Sequence, residues 1–261
     1  MKTCHVIAPD APNRRVGRAA FSLIELLVVI AIMGIVAGLL VGLAPTAMKR
    51  ARESRIRTEL RALESMIESY KAKHGVYPPD GLVLNGTVPR RDANGNLVVR
   101  PELNPLFYEL TGVVVNDALS PSGYFVPLGD DEADVRITPG QLRQYFGRDG
   151  FVNAATPERK RTLFRMEFKE SASAEIFATP GNPDIHVLAV GWAGDAGRPK
   201  LRSGISWPKN HPQFPSPIPS NPQLNPWRYV SSNPTNNPGR FDLWAEYIEN
   251  NQKKIIGNWR H

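Results

Sequence analysis

The sequence predicts an α+β chain: one long N-terminal helix, its latter half packed on a small antiparallel sheet, with long loop insertions. Three observations predict it. An apolar run near the start passes directly into a stripe of apolar residues at helical spacing. Short β-type segments follow much later. Between and around them, 21 Gly and 24 Pro make up about a sixth of the 261 residues, above a background of about an eighth, so turns and loops take up much of the length.

The first element is apolar. Lys2, Arg14, Arg15 and Arg18 outnumber the lone acid Asp10, and Phe21–Ala44 then carries a single charge, Glu25, in 24 residues. As a helix this run is about 36 Å long, enough to cross a hydrocarbon core of about 30 Å. The basic flank predicts a cytoplasmic N-terminus and a single pass. A cleaved secretory signal fits less well, because its apolar region is about 7–15 residues and here 26–44 is uncharged throughout. A plain anchor explains everything except Glu25, whose carboxylate costs about 2.5–3.5 kcal/mol in an apolar helix and so calls for a partner. Gly34, Gly38 and Gly42 recur every four residues. Such a stripe lets helices approach closely in lipid, or it reflects the general abundance of Gly in membrane helices. Pro45 lacks an N–H and is expected to kink the helix.

Residues 45–75 then read as an amphipathic continuation of the same helix. Ile56, Leu60, Leu63, Ile67 and Tyr70 step along one face, and eight Lys or Arg with four Glu fill the rest between Lys49 and Lys73. A basic amphipathic helix can also lie on a membrane or bind DNA. The narrow stripe and the interspersed glutamates favour packing under a sheet. Gly75 is a natural stop, and Pro78 and Pro79 bar further helix.

Residues 76–261 form the globular region. Residues 80–160 read as irregular, with a short helix over Asn104–Thr111. Strand patterns follow at Thr162–Lys169, which alternates, and at Ile185–Val190, bounded by Pro183 and Gly191. Residues 208–238 hold nine prolines and predict an extended loop, ordered where it packs on the sheet.

Two motifs resemble a known family. Ala20-Phe21-Ser22-Leu23-Ile24-Glu25-Leu26-Leu27 resembles the processing signal of type IV pilins and type II secretion pseudopilins. The resemblance implies cleavage between Ala20 and Phe21 by a prepilin peptidase, removal of the leader 1–20, and N-methylation of Phe21. The residue before the cut is usually Gly in that family and is Ala20 here. The resemblance further implies that 21–44 serves as transmembrane and then filament-core helix, with Glu25, Gly34, Gly38 and Gly42 as assembly residues. Tyr70-Lys71-Ala72-Lys73-His74-Gly75-Val76-Tyr77-Pro78-Pro79-Asp80 resembles the turn that closes this helix in pseudopilins.

The C-terminal stretch is similar to the end of the major (G-type) pseudopilin of type II secretion. Phe241-Asp242-Leu243-Trp244 matches its opening and Ile256-Gly257-Asn258-Trp259 its close. In that family a calcium loop lies between. Here the side chains and carbonyls available are those of Leu243, Glu246, Glu249, Asn250 and Asn251, with Lys253 and Ile255 where the family places acids. Calcium takes six to eight oxygens, so either these residues bind it or the loop is held by packing of Trp244 and Trp259. No cofactor is required.

Other chemistry lacks a signature. Cys4 is the only cysteine, which excludes a disulfide scaffold and a Cys-based zinc site. The charge of +7 is moderate, and no nucleic-acid partner is expected. Asp130, Asp131, Glu132 and Asp134 lack EF-hand spacing. Gly191, Gly194 and Gly197 have the wrong spacing for a phosphate loop and precede Pro199. The five His are scattered, and His186 reads as a packed residue. The resemblance therefore implies a structural subunit and no enzyme: an inner-membrane protein with a periplasmic domain that leaves the bilayer to stack with copies of itself. Its implied partners are the prepilin peptidase, minor pseudopilins and an inner-membrane assembly platform. Its implied role is export of folded proteins by a pseudopilus. A surface pilus for adhesion, motility or DNA uptake is the alternative, because the middle of the chain is long for a major pseudopilin.

Overall fold

A run from Ser22 to Ala44 that is free of proline, followed by charged residues of good helix propensity, gives one helix, α1 (Leu23–His74), despite a cost of about 1 kcal/mol at each interior glycine. It continues through Pro45. The computed structural model describes residues 22–116, 123–126, 135–166, 173–179, 182–191 and 205–259, for 39–45, 116, 135, 160, 173–179 and 182–184 by their backbone alone. The leader 1–20, the pair Ala20 and Phe21, the acidic run 130–134, and Gly194 and Gly197 lie outside these residues. The chain divides into two compact units, Met1–Lys49 and Arg50–His261.

In the second unit, the predicted stripe is the buried face of α1: Ile56, Leu60, Leu63, Ile67 and Tyr70 are all buried in the core. Gly75 ends the helix as expected. Its φ of 77° is left-handed, and its N–H reaches the Lys71 carbonyl at 2.8 Å, the αL cap that Gly adopts without steric cost.

The strands fall into four groups. Strands β1 (Leu84–Asn85) and β2 (Val88–Pro89) form a small hairpin. Strands β3 (Val113–Asn116), β4 (Gly123–Val126), β5 (Val135–Ile137) and β6 (Ala154–Ala155) form a sheet of order β5-β4-β3-β6. Only the β3–β6 pair in it is parallel. Strands β7 (Ser173–Thr179) and β8 (Asn182–Leu188) pair antiparallel. Strands β9 (Arg228–Val230), β10 (Asp242–Glu249) and β11 (Gln252–Gly257) make an antiparallel sheet of order β11-β10-β9. Leu243, Ala245, Tyr247 and Ile256 of this sheet share the core with the α1 stripe.

Helix α2 (Leu106–Thr111) realises the predicted short helix and is buried throughout. Helix α3 (Pro139–Phe146) sits in a stretch expected to be irregular. It starts with a capping box, in which Thr138 Oγ1 accepts the Gln141 N–H and Gln141 Oε1 accepts the Thr138 N–H. It ends on left-handed Gly147, where a Cβ would lie 2.4 Å from the Leu82 carbonyl oxygen.

Three expectations need correction. Residues 80–160 are less irregular than expected, because their described part builds the four-stranded sheet and α3. The strand expected over Thr162–Lys169 does not form at its described end: Pro157–Thr162 is a 3-10 turn, and 163–166 has no regular structure. The Phe164 backbone is claimed by a side chain instead. Its N–H donates to Asn153 Oδ1 at 2.9 Å, and its carbonyl accepts from Asn153 Nδ2 at 2.6 Å. The proline-rich stretch 208–238 is not all loop, because β9 lies within it, between Pro226 and Pro234. The strand expected at Ile185–Val190 forms over 185–188 as the latter part of β8, and Ala189 beyond it makes only an isolated bridge to Pro226.

Candidate assembly segment and the C-terminal interlock

Two regions carry the motifs, one in each unit. In the first unit, the side chains of α1 over 23–38 face outward. Leu23 is 81 % exposed, Ile24 69 % and Ile35 66 %, and Leu26 to Val36 are exposed in the same way. Leaving aliphatic side chains in water forgoes about 1.5–3 kcal/mol each, so the segment is built for a lipid or protein environment. Glu25 lies in the first turn, next to the partial positive charge of the helix N-terminus. Gly34 and Gly38 open onto empty space, with nothing within 4 Å of a built Cβ at either. Gly42 belongs to α1 at a position whose surroundings are not described. Among the described residues no helix is long and apolar enough to cross a membrane, and only 22–38 of the apolar run is described with side chains.

In the second unit, buried carboxylates fix α1 to the body. Glu59, fully buried, accepts the Gly191 N–H at 2.7 Å, and Arg55 donates to the Gly191 carbonyl. Tyr70 Oη donates to Glu109 Oε2 at 2.7 Å. Glu109 also accepts the N–H groups of Val152 and Asn153 at 3.0 and 2.9 Å. Burial raises the Glu109 pKa, and these three hydrogen bonds only partly oppose it. Asp80, also fully buried, pairs with Arg148 at 2.7 Å and accepts the N–H groups of Ser231 and Ser232. Glu59 follows Ile56 by three residues and precedes Leu63 by four. Its place on the Leu60–Leu63 side of the helix was the one available signal.

The two C-terminal motifs meet at Asn258. Its Oδ1 accepts the Leu243 N–H at 3.0 Å, its Nδ2 donates to the Phe241 carbonyl at 3.0 Å, and its own N–H donates to the Leu243 carbonyl at 3.0 Å. Asp242 accepts the N–H groups of Thr235, Asn236 and Asn237 at 2.8–2.9 Å, tying down the end of the proline-rich stretch. Trp244 meets Trp259 edge-on at 5.8 Å. His186, 6 % exposed, stacks on Phe107 at 5.5 Å as a packed side chain.

The residues considered for calcium do not converge. Leu243 is a buried, inward-facing residue of β10, and its carbonyl is taken by Asn258. Glu246 lies on the opposite, half-buried face and pairs with Arg228 at 3.4 Å and Lys253 at 3.3 Å. Asn250 and Asn251, at φ 49° and 59°, are the two central residues of a tight hairpin turn closed by the Glu249–Gln252 pair, the positive-φ geometry that Asn tolerates. Asn251 Oδ1 lies 2.7 Å from His211 Nε2. These residues do not fit a calcium ion, and among the described residues no group of three His, Cys, Asp or Glu side chains is gathered to hold a metal.

Residues 15–41 match the family described as the prokaryotic N-terminal methylation motif. No curated protein and no solved structure matches the chain. The motif is a type IV pilin-like signal, and the long N-terminal helix followed by a mixed α+β domain is consistent with a pilin-like fold.

Proposed function

We propose that the chain is a structural subunit of a type II secretion pseudopilus. The observation that carries the reading is the methylation motif over 15–41 running into an exposed apolar helix with one carboxylate, Glu25, in its first turn. Prepilin peptidase cuts between Ala20 and Phe21 and methylates Phe21. The chain rests in the inner membrane through 21–44 with its domain in the periplasm, then passes into a filament. Cleavage creates an α-amine, cationic below a pKa of about 7.7–8.0. In the stack, Glu25 of one subunit pairs with the Phe21 amine of a neighbour, so neither charge stays alone in a dry core. Gly34, Gly38 and Gly42 let adjacent helices come close. The C-terminal motif pair, joined at Asn258, supports the pseudopilin reading over a surface pilin. The long stretch 81–238 favours the alternative, a minor pseudopilin or a pilin for adhesion, motility or DNA uptake.

The test is an intact mass of the protein purified from membranes. Loss of residues 1–20 with one added methyl is the expected result. A full-length, unmethylated chain overturns the reading in favour of a simple anchor.

A further inference from the structure

A row of charge crosses the face of the C-terminal sheet opposite Leu243 and Ala245. Trp244 pairs with Arg228 across β9–β10, and Ile248 pairs with Lys253 across β10–β11. Glu246, two residues from each on the same face of β10, therefore lies diagonally between a cation on either flanking strand. Its Oε2 is 3.4 Å from Arg228 Nη2 and 3.3 Å from Lys253 Nζ. Its Oε1 accepts the Trp244 indole N–H at 3.1 Å.

Arg228 is itself 5 % exposed, with its guanidinium 5.4 Å from the Trp207 ring and its Nη1 donating to Asn225 Oδ1 at 3.4 Å. Lys253 is the outer, half-exposed member.

We propose that Arg228 and Lys253 act as tethered cations that join three strands through Glu246, the work a bound divalent ion does where carboxylates converge, and that the C-terminal sheet is therefore independent of calcium. The chemistry runs in one direction. A calcium site gathers several carboxylates around one mobile double charge. This sheet gathers two fixed single charges around one carboxylate, and both carboxylate oxygens already have partners. A divalent ion entering here would meet like charge on both sides and find one carboxylate in place of several. The tethered cations are part of the folded chain and do not dissociate when the surrounding ion concentration falls. The inference does not rest on the filament reading.

The experiment is thermal unfolding of the full chain in detergent micelles, followed by tryptophan fluorescence, in EGTA and in millimolar calcium chloride. The wild-type melts are expected to coincide. Lys253→Met is expected to lower Tm by about 2–4 °C in both buffers, and Lys253→Arg to restore it. A wild-type Tm that rises with calcium overturns the proposal, and so does a Lys253→Met chain that melts with the wild type. The wild-type comparison stands even if a variant fails to fold. Filament yield plays no part in the readout, so failure here and failure of the filament reading are separate results.

Discussion

Glu25 and Glu109 are both carboxylates in apolar surroundings, and they answer the cost of that position differently. Glu25 lies on an exposed apolar helix and, in the proposed filament, finds its partner on another subunit. Removing one member of a buried pair costs about 3–5 kcal/mol, so Glu25→Ala is expected to be inserted and cleaved normally but to assemble poorly. Filament yield by shear fractionation, beside a mass check of processing, measures this; normal yield from the variant would remove Glu25 from assembly. Glu109 finds its partners within its own domain, in Tyr70 and the 152–153 backbone. Burial still raises its pKa above the ordinary glutamate range. The folded state therefore holds the proton more tightly than the unfolded state, and the stabilisation linked to it is fully present below the unfolded pKa of about 4.3. It is lost as pH rises through the folded pKa. Relative to Glu109→Gln, which does not titrate, the wild type is expected to lose Tm as pH is raised from about 4 toward neutrality. Parallel melting curves at each pH would show that Glu109 titrates normally.

At the scale of elements, the C-terminal sheet depends on a residue outside every strand. Asn258 satisfies the Leu243 N–H and the Phe241 carbonyl at once. Asn258→Ala leaves both without that partner, at a cost of about 1–3 kcal/mol, read as a lower urea midpoint with unchanged slope. A midpoint equal to wild type would mean that water replaces the side chain fully. The two motifs that meet here were legible in the sequence as a matched pair, though their meeting point was not. The α1 stripe was legible for a local reason: five apolar residues at helical spacing need no knowledge of what covers them. Glu59 was legible only as a position beside that stripe, because the backbone N–H that it holds, at Gly191, is 132 residues away. The alternation over Thr162–Lys169 misled because a period of two states which faces differ, not where the backbone hydrogen bonds go. Asn153 supplies those bonds to Phe164, and no neighbouring strand is needed. Strands as short as the two-residue β6 leave no period to read.

For the whole molecule, the two units pose opposite demands that one life history reconciles. The first presents apolar side chains outward over 23–36, and the second buries its own apolar stripe from Ile56 to Tyr70 beneath sheet residues of the same chain. A domain that completes its own core does not need neighbours to fold. A helix that exposes its apolar surface needs lipid first and other helices afterwards. That sequence of environments is the one a filament subunit passes through on leaving the membrane, and in the proposed function it is the cut between Ala20 and Phe21 that frees the amine for Glu25. The same argument fixes the phenotype. If the filament drives secretion, deleting the gene leaves exported enzymes folded but stranded in the periplasm, because transport into the periplasm precedes the pseudopilus step. Complementation with the wild type is expected to restore export, and with Glu25→Ala to restore little. The measurement is the partition of a secreted enzyme's activity between periplasm and medium. Normal export in the deletion strain would move the chain from secretion to a surface pilus, where twitching, adhesion or DNA uptake becomes the function lost.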